Sequence, residues 1–241
     1  MAKPSNYNFL FQGLPAKTWD SATITYGKAP VIICRSLFAD THIPHDSIKW
    51  TSFHGRKHAF LGEEPLEYTF AGGKTLKVVD QTDEINGKVM AIAGKIKAAI
   101  RSARPSNLVL NLIRLERLEV ANASLYAKGG SLAAHKDNEP AHTHDGIASI
   151  SLGASATMLF EAPNSGGERP SIKAIKLHHG DLVIFDRNIR HSIVDVEGDR
   201  LNFTFRSWKK PFFKAAGFGE DHRKRRAIYN EGVGKKRTPS K

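Results

Sequence analysis

Residues 84–100, EINGKVMAIAGKIKAAI, place apolar side chains at Ile85, Val89, Ile92, Ile96 and Ile100, at steps of four, three, four and four. That spacing lines one face of a helix, with Lys88, Lys95 and Lys97 on the polar side, and it predicts an amphipathic helix despite Gly87 and Gly94. Upstream, VIICRSLF (31–38) predicts a buried strand leading into a short helix. Beyond residue 120 the period changes. Short runs rich in β-branched and aromatic residues recur: IASISL (147–152), ATMLFE (156–161), IKAIKLH (172–178), DLVIF (181–185), HSIVDV (191–196) and RLNFTFRS (200–207). Turn-forming clusters separate them, among them APNSGGERP, HHGD, DRNIR and VEGD. Many short, evenly spaced strands behind a helical front predict a mainly β fold with flanking helices, of the double-stranded β-helix or jelly-roll kind. No repeat and no long low-complexity segment interrupts the pattern.

Composition narrows this picture only a little. The chain has 241 residues, enough for one domain with a substantial core plus appendages. No stretch approaches the roughly 18 apolar residues of a membrane span, so no membrane partner is expected. The N-terminal MAKPSNYNFLFQG lacks a sustained apolar segment, so no secretory signal is expected. The single cysteine, Cys34, makes an internal disulfide impossible and suits a reducing, intracellular compartment. No CxxC or Cys/His cluster suggests zinc.

Charge changes the picture more. The formal net charge is +12, and residues 209–241 carry eleven Lys and Arg against three acids, a net of +8, concentrated in RKRR (223–226) and KKR (235–237). Such a tail suits sequence-independent contact with phosphates, although a solvated tail that only aids solubility has the same composition.

Chemistry enters at YAKGGSLAAHKDNEP. On a strand, residues i and i+2 share a face, so His135 and Asp137 would aim an imidazole and a carboxylate at one point. His191, which follows a turn after DLVIF and opens the next strand, is the candidate third ligand. Two histidines and one carboxylate on one face of an Fe(II) leave three positions open. A carboxylate turned toward such a pocket is expected to add little to stability. In RLNFTFR, Arg200, Asn202, Thr204 and Arg206 fall at steps of two and share a face, with Leu201, Phe203 and Phe205 on the other. Two guanidinium forks on one face suit a dicarboxylate that also chelates iron, which is the chemistry of 2-oxoglutarate. An exposed basic edge strand would show the same alternation.

Taken together, HKD, His191 and RLNFTFR resemble the AlkB family of Fe(II)- and 2-oxoglutarate-dependent dioxygenases, from about Ile48 to Ser207. SLYAKGGSLAAHKDNE and IASISLG resemble further family segments. IKWTSFHGRKHAFLGEEPLEYTFAGG resembles the nucleotide-recognition lid, most like that of the homologues that repair duplex DNA. The resemblance implies a division into 1–45 (N-terminal extension and first core elements), 46–208 (dioxygenase domain, lid 46–75) and 209–241 (basic tail). It implies Fe(II), 2-oxoglutarate and O2 as cofactors, with the iron on His135, Asp137 and His191. Arg200, helped by Tyr126, would take the distal carboxylate of 2-oxoglutarate. Arg206 would orient the iron-proximal end near Asp137, and Asn202 and Thr204 would line the pocket. Ser124 stands where the family usually has Asn. Tyr68 and Phe70 of the lid, together with Glu139, would contact a flipped base.

The implied reaction is oxidative demethylation of N-alkylated bases, of the 1-methyladenine and 3-methylcytosine type, in DNA or RNA, with release of formaldehyde by a monomer. The alternatives are a related hydroxylase acting on a protein or small molecule, and a non-catalytic nucleic-acid-binding module. The latter predicts a broken triad, and none of its residues is missing. Homologues that act on duplexes carry a bulky aromatic just before the lid tryptophan. Here that place, ahead of Trp50, holds Asp46 and Ser47, with Ile48 as a smaller candidate wedge. Single strands are therefore expected to be favoured.

Overall fold

A computed structural model describes residues 19–26, 29–53, 56–62, 67–69, 75–77, 81–102, 118, 120–137, 146–162 and 171–207. In chain order these form β1 (Trp19–Tyr26), β2 (Ala29–Cys34), β3 (Thr51–Phe53), β4 (Arg56–Gly62), β5 (Glu67–Thr69), β6 (Thr75–Lys77), α1 (Asp83–Ser102), β7 (Val120–Tyr126), β8 (Leu132–His135), β9 (Ile147–Gly153), β10 (Ala156–Ala162), β11 (Ser171–Leu177), β12 (Leu182–Phe185), β13 (Arg190–Val194) and β14 (Arg200–Arg206). An eight-stranded sheet runs β1-β2-β12-β9-β14-β7-β4-β3, a four-stranded sheet runs β11-β10-β13-β8, and β5 pairs with β6 alone. The pairings among the described strands are antiparallel, as a jelly roll requires.

The middle strands of the large sheet are buried on both faces, and their alternation shows why. Leu201, Phe203 and Phe205 of β14, Ala121 and Ala123 of β7, and Ala59 and Leu61 of β4 form one cluster with Ile85, Val89, Ile92, Ile96 and Ile100 of α1. Each of those isoleucine or valine side chains contributes about 1.5–3 kcal/mol when withdrawn from water, an upper estimate since the unfolded chain already buries some. Small alanines on β4 and β7 let α1 lie close. The Thr82 hydroxyl caps α1 by accepting from Ile85 N at 3.3 Å, with Asp83 and Glu84 in the first turn. Asn86 Oδ1 accepts from Gly62 N at 2.9 Å and ties the helix to the end of β4. Facing the other way, Val31, Ile33, Ile147, Val183 and Phe185 of the large sheet meet Met158, Phe160, Ile175 and Ile193 of the small one. That second core fills the space between the sheets and reaches the site, where Phe160 and Phe185 touch His191.

The helix expected over 84–100 is present and extends to Asp83–Ser102. The six C-terminal strands are present with ends shifted by a residue or two. Two expectations fail. The short helix after VIIC is a run of turns at residues 35–40, where Ser36 takes a positive φ of 55° and Phe38 N donates to Gly180 O at 3.0 Å. Gly180 has φ of 81°, and a Cβ there would lie 2.5 Å from Ala39 N, so only glycine permits this approach. The described residues ahead of α1 are also mostly strand, not α-helix. Six of the described strands precede α1, and β1 and β2 complete one edge of the large sheet.

Candidate active site

His135 ends β8, His191 is the second residue of β13, and the two are opposite each other across the strand pair. Asp137 lies just past β8, where its N–H donates to Arg187 O at 3.0 Å. The three side chains meet: Asp137 Oδ1 is 3.5 Å from His135 Nε2, Asp137 Oδ2 is 3.6 Å from His191 Nε2, and all three ligand atoms fall within 4.8 Å of one another. Both rings are set by the same device. His135 Nδ1 lies 2.9 Å from Ala133 O, and His191 Nδ1 lies 3.0 Å from Ile189 O. A carbonyl only accepts, so each Nδ1 carries the proton and each Nε2 presents its lone pair to the common point. Phe160 and Phe185 flank the His191 ring, with centroids 6.2 and 4.7 Å away.

Arg206 Nη2 donates to Asp137 Oδ1 at 2.8 Å, with both side chains nearly out of contact with water. Burial alone would raise the Asp137 pKa. The Arg206 guanidinium, followed by the two histidines, outweighs it and holds the carboxylate well below its usual range. Burial pushes His191 down to about 4. For the more exposed His135 burial also acts downward, but the hydrogen bond and charge of Asp137 prevail and raise it. The expectation that Asp137 adds little to stability is thus corrected, because the carboxylate is one half of a buried ion pair.

β14 lies between β9 and β7, not at an edge, which excludes an exposed basic strand. Arg200 is 0% exposed. Its Nη2 donates to Ser151 Oγ at 2.8 Å and Asn202 Oδ1 at 3.1 Å, and its carbon Cζ lies 5.5 Å from the centre of the Tyr126 ring. Its Nε and Nη1 are buried with no hydrogen-bond partner. Burial lowers the pKa of this guanidinium, with Tyr126 acting in the opposite direction, and no carboxylate among the described residues pairs with it. Asn202 is held on both sides: Ser149 Oγ donates to its Oδ1 at 3.1 Å, and its Nδ2 donates to Thr204 Oγ1 at 3.1 Å. Ser124 Oγ lies 3.3 Å from His58 Nδ1, so at this position the smaller side chain is joined to a buried histidine of β4.

Sequence reasoning passed over Ser149, Ser151 and His58. The two serines alternate with Ile150 and Leu152 in an otherwise apolar strand, and that alternation was the available signal. His58 had none, since its strand carries little apolar pattern. Tyr68 lies in β5 opposite Leu76. Phe70, Glu139 and the basic tail lie outside the described residues. Ile48 is not available as a wedge. It is 3% exposed and packed in the core beneath α1, while Ser47 sits in the short 3-10 turn His45–Ser47, donating its hydroxyl to Pro44 O at 2.7 Å.

The residues present fit Fe(II) and 2-oxoglutarate. Two imidazoles and a carboxylate converge from one side, as for a metal that keeps open positions. A buried guanidinium with two unpartnered nitrogens calls for an anion, since leaving such groups unmet costs about 1–3 kcal/mol or more.

Comparison with known proteins agrees. Residues 88–206 match the sequence profile of the 2OG-Fe(II) oxygenase superfamily. No curated protein matches the chain. Solved structures that resemble it include one described as the structure of OsALKBH1, 16% identical with a TM-score of 0.48, over 73% of this chain and 97% of that one. Others are an oxidoreductase of the 2OG-Fe(II) oxygenase family from Burkholderia pseudomallei (12%, 0.45, 73% and 84%) and a prolyl-4-hydroxylase from Pseudomonas putida (14%, 0.39, 64% and 70%). At these levels of likeness they carry no argument about substrate.

Proposed function

From a chain that carries a 2OG-Fe(II) oxygenase superfamily domain, and is an Fe(II)- and 2-oxoglutarate-dependent dioxygenase, we propose that it demethylates N-alkylated bases in single-stranded nucleic acid in the manner of the AlkB group. The observation that carries the substrate class is the net charge of +12, which suits a polyanion and opposes a cationic substrate. The arginine-asparagine-threonine-arginine spacing of β14, which resembles the AlkB signature, supports the assignment to that group without bearing on the substrate itself.

In this reading His135, Asp137 and His191 hold the iron. Arg206 keeps Asp137 ionised and oriented. Arg200 receives the distal carboxylate of 2-oxoglutarate, with Tyr126 beside it and Ser151, Asn202 and Thr204 fixing the guanidinium and the pocket floor. When bound, iron, 2-oxoglutarate and O2 supply the oxidation: one oxygen atom enters the substrate C–H bond and the other enters succinate as CO2 is lost. A methyl on a base nitrogen thereby becomes a hydroxymethyl group, which leaves as formaldehyde. The aromatic pair Phe160 and Phe185 shields the inner side of His191 from water, while the partly exposed His135 marks the side on which substrate arrives. Tyr68, Phe70 and Glu139 are the base-reading residues on sequence resemblance, the first two by stacking and the acid by favouring a cationic methylated base.

The test is formaldehyde release from single- and double-stranded DNA and RNA oligonucleotides, each carrying one methylated base. Release from N1-methyladenine or N3-methylcytosine that depends on Fe(II) and 2-oxoglutarate is expected. A protein that turns over 2-oxoglutarate yet releases formaldehyde from none of them acts on another substrate class.

A further inference from the structure

Arg56 opens β4 and has no part in the site above. The register explains where it stands. Lys57 is opposite Leu125, and Leu125 is opposite Leu201, so Arg56 falls in line with Tyr126 and Arg200 across β4, β7 and β14. Ala59 and Leu61 of β4 enter the core beneath α1, whereas His58 reaches Ser124 on the opposite face. By alternation Arg56 shares the His58 face, the one that carries Arg200, Asn202 and Arg206. Arg56 is half-buried, and its Nη1 is buried with no hydrogen-bond partner. No carboxylate among the described residues pairs with it. A guanidinium is always charged and has five donors to satisfy, so a half-buried one with no acid partner among the described residues is poised for an anion.

Which anion follows from elimination. A 2-oxoglutarate molecule has one carboxylate to spare once its other end is on the metal, and the unpartnered nitrogens of Arg200 meet it. Arg56 is two strands away from Arg200, on the order of 10 Å at the usual strand spacing, with Tyr126 in the strand between. In a nucleotide the methylated base is neutral or cationic, and only the phosphate is anionic. Resting on the nucleic-acid reading, we propose that Arg56 binds a backbone phosphate of the substrate strand, fixing the strand beside the site.

The test uses full-length protein loaded with Mn(II), in wild-type form and as Arg56→Gln and Arg56→Lys. Binding of a fluorescent 12-nucleotide single strand carrying one 1-methyladenine is followed by anisotropy from 50 to 200 mM salt. Binding of 2-oxoglutarate is measured by calorimetry. Arg56→Gln should weaken oligonucleotide binding about five- to tenfold at the lowest salt and reduce the slope of log K against log salt by about 0.7, the share of one phosphate on a single strand. Arg56→Lys should keep most of that slope, and 2-oxoglutarate affinity should be unchanged in both. Wild-type binding with an unmoved slope in Arg56→Gln overturns the assignment of Arg56 alone. Loss of 2-oxoglutarate affinity also overturns it, by placing Arg56 in the co-substrate pocket. Failure of the wild type to bind the strand at any salt strikes at the nucleic-acid reading itself.

Discussion

Asp137 faces Arg206 with one oxygen and His191 with the other, at 2.8 and 3.6 Å. Removing it therefore has two consequences. Asp137→Ala should abolish 2-oxoglutarate turnover, and it should also destabilise the metal-free protein by about 3 kcal/mol, because it leaves a buried guanidinium short of its counter-charge. Chemical denaturation of the two metal-free proteins checks the second figure, and equal stability would show that the pair contributes nothing. At Arg200, replacement by Lys substitutes a point charge for a planar fork. The 2-oxoglutarate Kd of Mn(II)-loaded protein should rise at least about tenfold, which calorimetry measures. His191 makes a prediction about pH. Burial puts its folded pKa at about 4 against an ordinary 6.5. Below 6.5 the unfolded chain takes up a proton that the folded chain refuses until about 4, so this contribution is fully present above 6.5 and is lost as pH falls through that window. The raised pKa of His135 works against it in part. His191 alone would cost about 2 kcal/mol between pH 7 and 5, so metal-free protein should lose less than that, seen as a lower Tm, and a Tm that rises on acidification contradicts the assignment.

At the scale of elements, the turn before β3 bears on strandedness. Ile48 is spent on the core, Ser47 is too small to replace a flipped base in a stack, and the Asp46 side chain is 89% exposed where a phosphate backbone would pass. Opening a duplex costs a few kcal/mol that nothing at this turn offsets. The ratio of kcat/KM for one methylated sequence, alone and annealed to its complement, should favour the single strand by tenfold or more, and a ratio of one or below refutes this. The same scale shows what was legible in the sequence. β14 announces itself because its two faces meet opposite environments, phenylalanines under α1 and polar groups over the pocket. α1 is legible because its isoleucines keep one period for its whole length. β7, VANASLY, is not, since its core face is built from alanines whose role is closeness to α1 and whose pattern is faint. The histidine pairing was legible as residue types only. That His135 and His191 face each other follows from β8 and β13 being neighbours in the small sheet, a long-range fact that no local window contains.

For the whole molecule, charge is the property that a single site does not explain. If the basic tail acts on nucleic acid and not on the fold, deletion of residues 215–241 should leave the core folded, which a thermal melt checks. It should weaken binding to long oligonucleotides and flatten the salt dependence, and identical slopes for the two proteins would make the tail a bystander. The core also holds a reporter of its own opening. Cys34 is 0% exposed at the end of β2, between β1 and β12, and burial, reinforced by Asp181, pushes its thiol up to about 12. As the only cysteine in the chain, it meets an alkylating reagent when the large sheet parts along that seam. Its modification rate is therefore a clock for the opening of the fold. Ligands that bind only the closed form slow that clock in proportion to their occupancy, so metal and 2-oxoglutarate affinities can be read from the fate of one sulfur with no turnover at all.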